Sequence, residues 1–304
     1  MDSLIIRGGK PLNGTIPISG AKNSALKLMA AALLTDEPVE LLNMPNLADS
    51  RFMSRLLSTL GVDVYWPQNH SVCRLNAASI TSTIAPYDLV RKMRATFNVL
   101  GPLLARIGHA TVSLPGGCAI GARPVNFHLD AFEKMGADIV IEQGYVKAAA
   151  IRGLKGADIE LPFPSVGATE HTMLAATLAK GTTRIKNAAR EPEIVDIATM
   201  LTGMGAKIEG AGTSTITIEG VERLSGISHQ VMADRIEAGT YAIAVAATGG
   251  DVFLERAPAH EMRALIEHLR AAGVTVEEVE GGIRVSRNGK RLKAVDVDVQ
   301  PHPG

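Results

Sequence analysis

AFEKMGADIVI, residues 131–141, is an amphipathic run that halts at a glycine and turns at once into a β-rich run. The same phrase recurs as LLSTLGVDVYW at 56–66, MLTGMGAKIEG at 200–210 and HLRAAGVTVEE at 268–278. Its glycines, Gly61, Gly136, Gly205 and Gly273, lie 75, 69 and 68 residues apart (136−61, 205−136, 273−205). A period near 70 marks a repeat architecture in which one supersecondary unit is copied along the chain. Before the glycine, apolar residues fall at helical spacing, as in Phe52, Met53, Leu56, Leu57 and Leu60, or Met262, Leu265, Ile266 and Leu269. A glycine just past such a run suits a left-handed helix C-cap.

Outward from that phrase each unit has the same order. An Ala/Leu-rich helix comes first (SALKLMAAALL, MRATFNVLGPLLA, EHTMLAATLA, EAGTYAIAVAA), then a short strand (VELLN, TVSL, TRIKN, DVFLER) and a loop. The amphipathic helix follows, and two strands close the unit around turn signals such as EQG, GAG and EGG. The first helices are apolar nearly all round, which predicts burial inside a ring of sheets. Three copies end before about residue 229 and a fourth begins near Gln230. One unit alone cannot cover its apolar face, so the fourth predicts a second, incomplete domain. The last residues, VDVDVQPHPG, fall midway through a further unit, and a fragment of a longer protein is expected.

Composition narrows the function classes. A chain of 304 residues with 46% hydrophobic content can fill two cores of ordinary size. Lys plus Arg and Asp plus Glu both number 31, so no global charge draws the protein to nucleic acid or to an acidic membrane. The start, MDSLIIRGGK, is too short in apolar residues for a signal peptide, and runs such as LKLMAAALL fall short of the roughly 20 residues of a membrane span. Cys73 and Cys118 have no paired spacing, which points to a reducing compartment and hence the cytoplasm.

Function is expected on the loops that precede the amphipathic helices: NMPNLADS, LPGGCAIGARPV, NAAREPEIVD and RAPAHE. In the second, Cys118 follows Pro115, Gly116 and Gly117, which offer little bulk to bury a thiol, and Arg123 is near in sequence. Cys118 therefore reads as reactive, and Cys73, in the alternating run SVCRL, as core. ISGAKNSAL sets Lys22 and Asn23 at the start of the first helix with Ser24 as its cap, a place for phosphate or carboxylate. The matching stretch of the second copy, VRKMRATFN, gathers Arg91, Lys92 and Arg94. That of the third, PSVGATEHT, offers the backbone of Ser165, Val166 and Gly167. Glu191, Glu193 and Asp196 in REPEIVD are accounted for by the helix dipole alone. HEMRA at His260 lacks the second histidine of HExxH, and no Cys/His spacing suits zinc. Neither a GxxxxGK[ST] loop nor a GxSxG elbow occurs.

ISGAKNSAL, PYDLVRKMRA, SLPGGCAIGARPV, FPSVGAT, NAAREPEIVD and ADRIEAGTY together resemble the UDP-N-acetylglucosamine 1-carboxyvinyltransferases, a family of bacterial enolpyruvyl transferases. The resemblance runs the length of the chain, and the cysteine loop is specific to that family. It implies an α/β fold of two inside-out α/β barrels with a pseudo-threefold repeat. Here residues 22–229 would form the first domain, and 1–21 with 230–304 part of an incomplete second. It also implies transfer of the enolpyruvyl group of phosphoenolpyruvate to the 3-hydroxyl of UDP-N-acetylglucosamine with release of phosphate, a chemistry that needs no metal and no redox cofactor. Cys118 would donate a proton to the methylene carbon and can add covalently to phosphoenolpyruvate. Lys22 and Asn23 would hold phosphoenolpyruvate, aided by Arg123. Arg94, the run Arg123, Pro124, Val125, Asn126 and Phe127, and Phe163, Pro164, Ser165 and Val166 would contact the sugar nucleotide. The aspartate that takes the hydroxyl proton and further arginines fall beyond PHPG in the family, so little or no turnover is expected of these 304 residues. A noncatalytic nucleotide-sugar-binding fragment and an enolpyruvyl transferase with another acceptor are the alternatives.

Overall fold

The computed structural model describes residues 5–90, 93–115, 125–289 and 291–303. It divides into two compact units, Lys22–Met232 and Met1–Ala21 with Ala233–Gly304. The chain opens with β1 (Leu12–Pro17). The first repeat comprises α1 (Lys22–Ala31), β2 (Val39–Leu42), α2 (Ala48–Thr59), β3 (Asp63–Tyr65) and β4 (Cys73–Asn76). The second has β5 (Ile84–Ala85), α3 (Tyr87–Val90), α4 (Leu100–Ile107), β6 (His109–Ser113), α5 (Asn126–Lys134), β7 (Asp138–Glu142) and β8 (Tyr145–Ala149). The third has β9 (Asp158–Glu160), α6 (Val166–Ala176), β10 (Thr182–Lys186), α7 (Pro192–Gly203), β11 (Lys207–Glu209) and β12 (Thr215–Glu219). After β13 (Ile227–Gln230) the fourth has α8 (Arg235–Thr248), β14 (Gly250–Glu255), α9 (Arg263–Ala271), β15 (Thr275–Val279) and β16 (Gly282–Arg287).

The recurrent glycine performs one job four times. Gly61, Gly136, Gly205 and Gly273 have φ of 101°, 87°, 103° and 96°, the left-handed region where a Cβ is penalised. At each, two backbone bonds close the helix. After α2 the Gly61 amide donates to Ser58 O and the Val62 amide to Leu57 O; after α5 Gly136 donates to Glu133 and Ala137 to Phe132. After α7 Gly205 donates to Thr202 and Ala206 to Leu201, and after α9 Gly273 donates to Arg270 and Val274 to Leu269. This Schellman closure satisfies otherwise orphaned carbonyls and sends the chain into the next strand.

Each repeat builds a four-stranded sheet of one pattern: β5-β6-β8-β7, with β9-β10-β12-β11, β13-β2-β4-β3 and β1-β14-β16-β15 as its equivalents. Three strands pair antiparallel, the last of them lying between the other two, and the outer strand is parallel to its neighbour. In the second and third repeats that outer strand belongs to the same repeat. β1 and β13 have exchanged places: β1 precedes α1 yet pairs with β14, Leu12 opposite Gly250, while β13 precedes α8 yet pairs with β2, Ile227 opposite Val39. β1 lies at a sheet edge, where its final Pro17 leaves no ladder donor missing.

Within Lys22–Met232 the inner helices α4 and α6 pack on each other, and the outer helices join them, α7 against α1 and α6 and α5 against α6. Every residue of α6 from Ala168 to Ala176 is buried. The expectation of burial all round holds there and fails for α8, where Ile236 and Ile243 are 49% and 51% exposed. The described residues of that unit supply α8 with a single sheet, so one side of the helix is left uncovered. MRATFNVLGPLLA, expected as one helix, is a 3-10 segment over Arg94–Val99 followed by α4. Pro102 has no amide to bond the Asn98 carbonyl and its ring crowds that carbonyl, so the α-helical ladder starts only at Leu100.

Gly250, with φ +117°, lies so close to β1 that a Cβ would overlap the Leu12 backbone. Gly250→Val is expected to cost about 2 kcal/mol or more and to free β1. Hydrogen exchange should then show lost protection at residues 12–17 with residues 22–232 unchanged.

Candidate functional site

The first anion-binding candidate is the start of α1. Lys22 is its first residue, Asn23 is exposed beside it, and Lys22 Nζ lies 3.1 Å from Asp49 Oδ2 in the first turn of α2. Both side chains are more than 40% exposed, so this pair contributes at most about 1 kcal/mol and orients the ammonium more than it stabilises the fold. Ser24 does not cap the helix. It is buried inside the first turn, and its hydroxyl donates to Asp196 Oδ2 on α7.

Asp196 is the correction to a reading that left the REPEIVD carboxylates to the helix dipole. It is buried, accepts the Ser24 hydroxyl and the Met232 amide (3.3 Å), and meets His229 Nε2 at 2.8 Å. One carboxylate thus ties α1, α7 and β13 together and fixes the helix turn that carries Lys22 and Asn23. An aspartate near the start of a helix looks the same in sequence whether it points to solvent or to another repeat.

The second group forms where two helices begin. Val125 precedes α5 and is buried; Asn126 and Phe127 open the helix, Asn126 exposed. Ser165 caps α6, its hydroxyl accepting from the Ala168 amide at 3.4 Å, and Val166 is the first helical residue. Phe127 and Phe163 meet edge to face, ring centroids 5.2 Å apart at 84°, a geometry favoured by the ring quadrupoles. The contact joins Val125–Phe127 to Phe163, Pro164, Ser165 and Val166, stretches separated by more than thirty residues in sequence. Arg94, at the start of the 3-10 segment, adds positive charge that is felt at His128, the next residue of α5. Cys118, Arg123 and Pro124 lie outside the described residues, as do Arg91, Lys92, Gly116 and Gly117. Cys73 is fully buried in β4, and burial pushes its thiol up to about 12, which leaves it inert near neutrality.

Beneath these helix starts is a buried polar cluster that the sequence reading missed. Lys27 of α1 pairs with Glu170 of α6 at 3.0 Å, with Glu170 fully buried. Burial pushes the Glu170 carboxyl up to about 7, opposed by Lys27 and reinforced by the charges of Glu193 and Glu191. His171 and His128 face each other through their Nδ1 atoms at 2.9 Å. Burial pulls His128, helped by the charges of Arg94 and Lys27, down to about 3, and holds His171 well below its usual range. The available signal was the adjacent Glu170 and His171 in an otherwise apolar helix. Among the described residues no group of three or more His, Cys, Asp and Glu could hold a metal ion, and no helix is long and apolar enough to cross a membrane.

A family profile described as EPSP synthase (3-phosphoshikimate 1-carboxyvinyltransferase) matches residues 6–304. Proteins named UDP-N-acetylglucosamine 1-carboxyvinyltransferase match the whole chain. The one from Hyphomonas neptunium is 67% identical over 306 residues, and that from Maricaulis maris 65% over 305, each with 100% of this chain and 72% of the relative covered. That from Caulobacter vibrioides is 60% identical over 306 residues, covering 100% of this chain and 71% of the relative. Among solved structures, the enolpyruvyl transferase NikO from Streptomyces tendae superposes with a TM-score of 0.83 at 23% identity, over 95% of this chain and 68% of that one. EPSP synthase from Acinetobacter baumannii gives 0.71 at 21% identity, over 93% and 65%. These two likenesses establish the fold.

Two outcomes test the site's scaffold. Asp196→Ala leaves His229 and the Ser24 hydroxyl without their buried acceptor, and should lower the unfolding free energy by about 3 kcal/mol in urea titrations. Because the folded-state value of Glu170 is raised above the ordinary 4.5, its contribution to stability is full below that value and is lost as pH rises through about 7. The stability of the wild type relative to Glu170→Gln should therefore fall from about pH 5 to about pH 8. Parallel pH profiles for the two proteins would contradict this.

Proposed function

The chain belongs to the UDP-N-acetylglucosamine 1-carboxyvinyltransferase family, within the EPSP synthase fold, and we propose from this that its chemistry is enolpyruvyl transfer from phosphoenolpyruvate to the 3-hydroxyl of UDP-N-acetylglucosamine. This is the reaction that commits carbon to peptidoglycan. A cytoplasmic setting fits a chain with only two cysteines at no paired spacing.

The observation that carries the reading is the Phe127–Phe163 contact, which supports one binding surface made from the starts of α5 and α6. Two helix N-termini side by side favour an anion, and a diphosphate is the anion a sugar nucleotide supplies. In this reading Val125, Asn126, Phe127, Phe163, Pro164, Ser165 and Val166, with Arg94, Arg123 and Pro124, hold the sugar nucleotide. Lys22 and Asn23 at the start of α1, together with Arg123, hold phosphoenolpyruvate through its phosphate and carboxylate.

The reaction adds the sugar oxygen to C2 of phosphoenolpyruvate while a proton reaches C3, which becomes a methyl group. The hydroxyl proton is taken up by a base. Loss of a proton from C3 then restores the double bond as the C2–O bond to phosphate breaks. Cys118 is the acid for the first step: an ordinary thiol, with a pKa of about 8.5, holds its proton at neutral pH and can surrender it to carbon. Lys22 stabilises the charge that stays on the phosphate as it departs.

Exposure to fosfomycin, an epoxide that alkylates the cysteine of this family, is expected to give one adduct on the peptide holding Cys118 and none on buried Cys73. Cys118→Ser should abolish it. Calorimetric titration with UDP-N-acetylglucosamine should show binding that Arg94→Ala weakens about tenfold. A labelled Cys73 with unlabelled Cys118, or no heat with the sugar nucleotide, would overturn the assignment.

A further inference from the structure

The two buried histidines form a directed chain. The Gly101 amide at the start of α4 donates to His171 Nε2 at 2.7 Å, so that nitrogen is an acceptor. Burial keeps both rings neutral, and a neutral imidazole with an accepting Nε2 carries its proton on Nδ1. The 2.9 Å contact is therefore His171 Nδ1–H donating to His128 Nδ1, which leaves the single proton of His128 on Nε2. Phe97 and Phe132 stand edge-on to these rings, with Phe132 4.8 Å from His171 at 87° and Phe97 5.7 Å from each histidine. Neither ring can rotate without displacing an aromatic neighbour.

The protonated edge of His128 faces the binding surface. A Cβ on Gly167, in the first turn of α6, would meet His128 Cε1 at 3.3 Å and Nε2 at 3.4 Å, so this edge of the ring lies directly against the helix start. His128 is 94% buried (6% exposed), and among the described residues Nε2 has no hydrogen-bond partner. A donor at the edge of a mostly buried ring is placed to meet an acceptor that a ligand supplies.

We propose that His171 is a positioning residue that locks His128 as an Nε2–H donor, and that His128 gives this hydrogen bond to a diphosphate oxygen of the sugar nucleotide at the start of α6. The inference rests on the binding surface proposed above. A lock of this kind has a function because an unconstrained imidazole exchanges tautomers, and the other tautomer would turn a lone pair toward the anion. His171 acts only through His128. Its own acceptor is satisfied by a backbone amide that belongs to another repeat, so the three-repeat packing itself sets the direction of the proton.

The test is nitrogen NMR of the histidine-labelled chain together with calorimetry. In the free protein His128 should show a bare Nδ1 and a protonated Nε2, and UDP-N-acetylglucosamine should shift the Nε2 resonance. A proton on His128 Nδ1 would overturn the inference. Binding heat with His128 resonances unmoved would sink it alone and leave the proposed function standing, whereas absence of binding would sink both. His171→Phe should weaken affinity about tenfold, the scale of one hydrogen bond to a charged group. Adding His128→Gln to that variant should recover most of the loss, because an amide donor needs no partner to fix its tautomer. Equal weakness in both variants would reduce His171 to a packing role, and the NMR result on the unaltered chain decides the matter even where His171→Phe does not fold.

Discussion

The left-handed step after each outer helix is the constraint on which the architecture depends. A helix that frayed or continued at Gly61, Gly136, Gly205 or Gly273 would not deliver the following strand to the sheet edge at the right angle. In each closure one of the two backbone hydrogen bonds joins a pair of buried apolar residues: Val62 to Leu57, Ala137 to Phe132, Ala206 to Leu201 and Val274 to Leu269. The turn that satisfies the helix carbonyls also starts the strand that covers the inner helices. Repetition makes the geometry additive, and the three inner helices of residues 22–232 can bury even the polar residues of α6.

That burial is also what gives the polar residues their chemistry. In water Glu170 would be an ordinary carboxylate and His128 an ordinary imidazole. In the packed interior desolvation raises the carboxyl to about 7 and lowers the imidazole to about 3, so both are driven toward the neutral form. A neutral histidine is a directional group with one donor and one acceptor, and only in that state can a backbone amide two helices away decide which edge donates. Asp196 illustrates the complementary solution. Three hydrogen-bond partners surround it, and it spends them on holding α1, whose first residues carry Lys22 and Asn23.

The helix starts share a logic. Lys22 and Asn23, Asn126 and Phe127, and Ser165 and Val166 all stand at or beside the first turn of a helix, where amide hydrogens point outward and the dipole favours anions. The starts of α1 and α6 are equivalent points of the repeat, that of α5 opens an outer helix, and the Phe127–Phe163 contact draws the starts of α5 and α6 together. In the proposed reading, the surface for a multiply charged ligand is made where these two helix starts meet.

Period, order of elements and helix ends were legible in the residues because each depends on neighbours within a few positions: apolar spacing, a glycine past a helix, turn residues between short strands. The candidate anion-binding stretches were legible for the same reason, since a helix start is a local event. The exchange of β1 and β13, the uncovered side of α8, the Ser24–Asp196–His229 link and the His171–His128 pair were decided only in the folded chain. In each of these the partners are more than thirty residues apart, or the feature reflects a missing neighbour in space. Hydrogen bonding and desolvation depend on which groups meet and how much water is excluded, and a linear order of side chains carries neither quantity.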